Sequence, residues 1–194
     1  MALLLLSSSF TPQAAQADFE FDGCEGHEDS LLHAYSLAFG RAKDAEKFIG
    51  DNLLYETWFG DWSASNEARV RENMGSIVSH SLLGTPRFVC YPSGGCDDDG
   101  DGIDNAIAFV YSGTSFEIHI CDDFWSLSPE AGVDATDVIV HEVSHFHLGS
   151  NTDDHCYGDE FPSSCRELAI NSPSLAIENA DSYRLFIRDA TSLK

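Results

Sequence analysis

The sequence predicts a single α+β domain, and three observations carry that prediction. Two segments of helical periodicity fill the N-terminal half, short β-branched and aromatic segments follow in the middle, and helical periodicity returns toward the C-terminus. The expected architecture is a set of N-terminal helices, a small, mostly antiparallel sheet, one helix that carries the chemistry, and C-terminal helices. At 194 residues the chain has the common size of one domain and enough length to bury a core.

Residues 1–17 combine an apolar Ala2-to-Leu6 core, a polar stretch, and Ala15-Gln16-Ala17, which reads as a small-residue cleavage site. They predict a secretory signal, leaving 18–194 as the folded domain. Helical spacing of Leu31, Leu32, Tyr35, Leu37, Ala38, Ala45 and Phe48 predicts a helix over 30–48, capped by Asp29 or Ser30 and broken at Gly50. Tyr55, Trp58, Phe59 and Trp62 form an aromatic cluster expected in the core. A second helix is expected over about 63–81, with Val70, Met74, Ile77 and Val78 inward and His80 solvated. Residues 87–91, 106–111 and 115–121 read as strands, the last two as a hairpin, with His119 facing solvent. Residues 134–148 read as an apolar helix ending at Gly149, with His147 turned away from the face of His145. Further helices are expected over 163–170 and 174–189, the last with Leu175, Ala176, Ala180, Tyr183 and Ile187 inward.

The helix over 134–148 holds the motif His141-Glu142-x-x-His145. Four residues apart on a helix, the two imidazoles share one face a turn apart and can hold one metal ion. Glu142 projects beside that face, where a carboxylate can take a proton from a metal-activated water without being a ligand. Shortly after comes Asn151-Thr152-Asp153-Asp154-His155-Cys156-Tyr157-Gly158. Spacing leaves Asp153, Asp154 and His155 all within reach as a third ligand. Cys156 is a competing thiolate donor.

His141-Glu142-x-x-His145 followed by Thr152-x-Asp154-x-x-Tyr157-Gly158 resembles the aspzincin family of zinc endopeptidases, which includes deuterolysin and peptidyl-Lys metalloendopeptidases. The resemblance extends from about Cys24 to about Phe186, through Asp22-Gly23-Cys24, Tyr55-Glu56-Thr57-Trp58-Phe59-Gly60, Phe88-Val89-Cys90, Ile118-His119-Ile120-Cys121, Phe124-Trp125 and Asn179-Ala180-Asp181-Ser182-Tyr183. It implies a zincin-like fold, Asp154 as third ligand to one catalytic Zn2+, Glu142 as base and Tyr157 as transition-state donor. It also implies Cys24–Cys90 and Cys96–Cys121 bridges, with Cys156 and Cys165 as the remaining pair. The strand over 116–120, with Phe116, Glu117 and Ile118, is assigned by resemblance to hold substrate by β-augmentation. Asp181 stands where the family places an acid on the primed side of the scissile bond, implying a preference for Lys or other basic residues. A helix-surface carboxylate or a support for the zinc ligands is the other role open to it. Strict Lys-specific members carry an acid three residues later, where this chain has Arg184, which can neutralise Asp181 or point away. One further departure is Asn151 in place of a Gly, a change that a left-handed turn tolerates.

The formal charge of -23 belongs wholly to residues after Ala17. It excludes nucleic acid and anionic membranes as partners and leaves protein or peptide substrates. No stretch approaches the roughly 20 apolar residues of a membrane span, and a monomer is expected. Six cysteines fit an oxidising, extracellular location. The loop 97–105, with Asp97, Asp99, Asp101 and Gly102, imitates half of a Ca2+ loop but has Ala108 where a bidentate Glu is needed, so a flexible acidic loop is the simpler reading. The expected function is secreted zinc-dependent endopeptidase; the alternative is a catalytically silent secreted zinc- or peptide-binding protein on the same fold.

Overall fold

The computed structural model describes residues 19–83, 86–92, 96, 106–111, 116–127, 133–146, 150–159 and 164–193. The expected signal segment, the turn at 112–114, the acidic loop 97–105 with its calcium reading, and His147 lie outside the described residues. The chain runs β1 (Glu20–Asp22), α1 (Glu28–Ala45), a 3-10 turn (Glu46–Phe48), α2 (Leu53–Phe59), α3 (Ala64–Leu83), β2 (Arg87–Cys90), β3 (Ala108–Phe109), β4 (Glu117–Ile120), a second 3-10 turn (Asp122–Ser126), α4 (Ala135–Ser144), α5 (Cys165–Asn171), α6 (Pro173–Ile177) and α7 (Ala180–Ser192). Among the described residues, no helix is long and apolar enough to cross a membrane.

The α+β class stands, but the sheet is mainly parallel. Its order is β1-β2-β4-β3; β1 pairs β2 and β2 pairs β4 in parallel, and only the β3–β4 pair is antiparallel. The reason is topological. Three helices separate β1 from β2, and such a crossover returns the chain parallel to its start. After β2 the chain passes to the far edge before the hairpin brings β4 back beside β2, so sequence neighbours β2 and β3 never touch as strands.

Helical spacing is realised in α1, where Leu31, Ala34, Tyr35, Ala38, Phe39, Ala42 and Ala45 are buried. Leu37, expected inward, lies off that stripe and is exposed. Asn52 caps α2 by accepting a hydrogen bond from the Tyr55 amide at 3.0 Å. Gly60 ends it with φ 78°, and a Cβ there would collide with the Ala169 carbonyl oxygen and Pro173. Tyr55, Trp58 and Phe59 are fully buried, whereas Trp62 is exposed. His80, expected in solvent, is buried on α3 between the rings of Phe116 and Phe146. Neither of its ring nitrogens has a hydrogen-bond partner.

Helices α1, α4 and α7 pack on one another as the heart of the molecule. A capping box starts α4: the Asp137 amide donates to Asp134 Oδ1 at 2.9 Å, and the Asp134 amide to Asp137 Oδ2 at 3.3 Å. Arg41 of α1 donates to Asp134 Oδ2 at 2.9 Å, fixing that end. The helix stops at Ser144, short of the expected 148. The His145 and Phe146 amides tighten onto carbonyls three residues back, and the Ser144 hydroxyl and carbonyl are both bonded to Thr152. The expected 174–189 helix is likewise broken at Glu178–Asn179, leaving Leu175 exposed. Disulfides join Cys24 to Cys90, Cys96 to Cys121 and Cys156 to Cys165, the pairs implied by the resemblance.

Candidate active site

A cleft of about 1080 Å³ opens where α4, α7, β3 and the loop after α4 meet. Its wall includes His141, Glu142, His145, Asp154, Tyr157 and Asp181. On α4, His141 and His145 project a turn apart with their Nε2 atoms 3.2 Å from one another. Asp154 faces both, Oδ1 lying 3.3 Å from His141 Nε2 and Oδ2 3.4 Å from His145 Nε2. Ligands about 2.0–2.1 Å from a tetrahedral centre stand about 3.3 Å apart, so these spacings are those of a tetrahedral site seen from its edges. Two imidazoles and a carboxylate also suit zinc chemically. The other third-ligand candidates are excluded by position: Asp153 and His155 stay outside the cluster, and Cys156 is oxidised.

Each imidazole is held by its other nitrogen. His141 Nδ1 lies 2.7 Å from Asp181 Oδ1, and His145 Nδ1 lies 2.7 Å from the Thr152 carbonyl oxygen. Both are donor positions, which turn Nε2 toward the common point. Burial opposes a charge on His141, but hydrogen bonds to Asp154 and Asp181 outweigh it and raise the pKa to about 10. A metal ion held here would replace the proton that these acids draw onto His141. His145 is pushed down by burial and by His141.

The loop that supplies Asp154 is fastened at several points. Asn151 takes the left-handed conformation, φ 50°, that its small polar side chain tolerates. The Asp153 amide donates to the Glu178 carbonyl at 2.7 Å, the Ala180 amide to the Asp153 carbonyl at 3.0 Å, and Asn179 Oδ1 accepts from the amides of His155 and Cys156 at 2.8 and 3.0 Å. The break between α6 and α7 thus serves as the loop's docking edge. Tyr157 is 59% exposed, its ring stacked on His141 at 5.9 Å. Partial burial and the nearby Asp154 charge raise its pKa above the usual phenol value, so it stays a hydrogen-bond donor at neutral pH.

Two expected site elements lie in surroundings that the sequence did not show. Asp181 lines the cleft but is only 3% exposed, and its oxygens accept from His141 Nδ1, from Arg184 Nε and Nη2 at 2.7 Å each, and from the Gly158 amide at 2.5 Å. Of the roles open to it, the 2.7 Å contact with His141 Nδ1 fits a support for that imidazole. β4 lies between β2 and β3, but β3 pairs only with His119 and Ile120, so Glu117 and Ile118 have a strand partner on the β2 side alone. Phe116 packs on His80 and Phe146, Ile118 is buried, and Glu117 accepts from Arg87 at 2.9 Å. The edge at the cleft is β3, whose flanks from Ala106 to Tyr111 line it. His119 is covered rather than exposed, stacked on Phe109 at 4.6 Å and 2.9 Å from Tyr91 Oη. Sequence reasoning passed over the Thr152 carbonyl, which no side chain signals, and Arg188, which the i, i+3, i+4, i+7 spacing of Asp181, Arg184, Leu185 and Arg188 could have placed on the cleft.

Residues 45–188 match the family model of the aspzincins, described as lysine-specific metallo-endopeptidase. An extracellular protease of Aeromonas hydrophila is 29% identical over 188 residues, covering 93% of this chain and 50% of that protein. A peptidyl-Lys metalloendopeptidase of Pleurotus ostreatus is 31% identical over 179 residues, covering 89% and 98%. This chain therefore spans about half the length of the first relative and nearly all of the second. The solved zinc peptidase from Grifola frondosa superposes with a TM-score of 0.71 at 25% identity, covering 87% of this chain and 99% of that one. By the extent of these matches, the chain belongs to the aspzincin family of zinc metalloendopeptidases.

Proposed function

We propose that this chain is a secreted zinc-dependent endopeptidase acting on protein or peptide substrates, with His141, His145 and Asp154 as metal ligands. The observation that carries this reading is the tetrahedral-edge spacing of the three donors beside a buried carboxylate, Glu142. When bound, zinc supplies Lewis acidity, acidifying water and polarising a substrate carbonyl. Glu142 accepts the proton of the attacking water and hands it to the departing amine. Tyr157 donates a hydrogen bond to the oxyanion that develops on the carbonyl. Asp181 and the Thr152 carbonyl keep the imidazoles aimed, and β3 offers main-chain groups to an extended peptide. Three disulfides and the extracellular relative support secretion. A Lys preference, implied by the relatives' names, would need Asp181, which is already paired with Arg184.

The test is digestion of a denatured protein by wild type and Glu142→Ala, each with and without a chelator. Wild type is expected to cut only with zinc. The variant should hold one zinc per chain and lose turnover by about 10²–10⁴-fold. Comparable cutting by the variant removes Glu142 as the base; no cutting by folded, zinc-loaded wild type leaves a silent zinc-binding protein.

A further inference from the structure

The cleft continues past His141 into a recess between the first half of α4 and α7, walled by Val133, Val138, Leu185, Arg184 and Arg188. Arg184 and Arg188 are one turn apart on the same face of α7. Asp181 belongs to that face too, but its carboxylate is saturated by His141, Arg184 and the Gly158 amide. Arg188 is one third exposed. Its partner Asp189 is absent from the cleft wall and also accepts from Trp58 Nε1 at 3.1 Å. Among the described residues, the recess therefore combines apolar Val133, Val138 and Leu185 with a part-exposed Arg188 and an Asp181 carboxylate engaged by Arg184, while Asp159, also on the cleft wall, is paired with Arg166.

We infer that this recess is a side-chain subsite next to the scissile bond that takes an acidic residue and turns lysine away, with Arg188 as the residue that contacts the substrate carboxylate. The inference rests on the peptidase reading above. A substrate glutamate meets a part-exposed guanidinium whose Nε and Nη2 it must share with Asp189 Oδ1, 2.9 Å from each, a weaker hold than the buried two-bond pair of Arg184 on Asp181. A lysine meets like charge, and gaining Asp181 would require breaking its two-bond pair with Arg184. Discrimination here comes as much from that repulsion as from the new attraction. The overall charge of -23 acts on whole substrates at a distance, whereas the recess reads one side chain.

The experiment is a digest of a diverse peptide library by zinc-loaded wild type, reading residues on both sides of each cut, followed by matched peptides carrying Glu, Gln or Lys at the selected position. Glu is expected over Lys by at least about tenfold in kcat/KM. Arg188→Gln, checked for folding by circular dichroism, should erase the advantage of Glu over Gln, and Arg188→Glu should reverse it. Lys equal to or above Glu in wild type overturns the subsite, as does a Glu preference unchanged in folded Arg188→Gln. If no peptide is cut in a chelator-sensitive way, the peptidase reading itself fails and the subsite with it, a result distinct from cutting with the wrong preference.

Discussion

At Asp181 one buried carboxylate meets both an imidazole and a guanidinium. Its neighbour Arg184 holds the carboxylate ionised despite burial, keeping its pKa far below the usual carboxylate range. That charge is spent on His141. Asp181→Asn should therefore weaken zinc binding by about 10–100-fold, measured by competition with a chromogenic chelator. A substrate-binding Asp181 would instead raise KM and leave zinc affinity alone. Much of the site was legible residue by residue: a four-residue spacing on a helix needs no tertiary information to place two imidazoles and the intervening Glu142. Burial was not. His119 does alternate with Ile118 and Ile120 as a strand requires, yet the face it shares with Glu117 is roofed by Phe109, Tyr111 and Tyr91, which only the fold brings there.

Among elements, the loop from Ser150 to Asp159 is the one whose conformation decides whether a site exists. It has no regular structure of its own and is held by Asn179, the Asp153 bridge and the Cys156–Cys165 disulfide. Closing so short a loop contributes about 2–3 kcal/mol by the chain-entropy relation. A Cys156→Ser/Cys165→Ser double variant should lose roughly that stability in denaturant titration and show faster amide exchange in the loop. Unchanged exchange would mean that Asn179 and the bridge suffice. The helices were legible because each buries one periodic stripe. The sheet's direction was not, since local pattern distinguishes a hairpin from its neighbours but carries no record of which strand lies beside it. The ends of α4 and α6 escaped for a similar reason: the bonds that stop them come from Thr152 and from the metal loop.

On the scale of the whole molecule, His80 sets an acid limit. Burial pushes its pKa below the ordinary 6.5, and no partner holds its nitrogens. As pH falls below about 6.5 the unfolded chain takes up a proton that the native chain refuses, so stability declines until the folded pKa is reached, by at most about 1.4 kcal/mol per pH unit from this group. His80→Leu should narrow the difference in Tm between pH 7.5 and pH 5.5, and an unaltered difference would assign the acid sensitivity elsewhere. The packing of α1, α4 and α7 ties the site to this global stability. The loop with Asp154 is stitched to Glu178 and Ala180, and His141 Nδ1 lies 2.7 Å from Asp181, so fraying of α7 is expected to loosen the three-donor cluster at the same time. If the chain cuts protein as proposed, a population of such molecules divides into competent cutters and vulnerable prey: a copy loose enough to be digested has lost the means to digest its neighbours, and self-destruction is driven by the copies that remain intact.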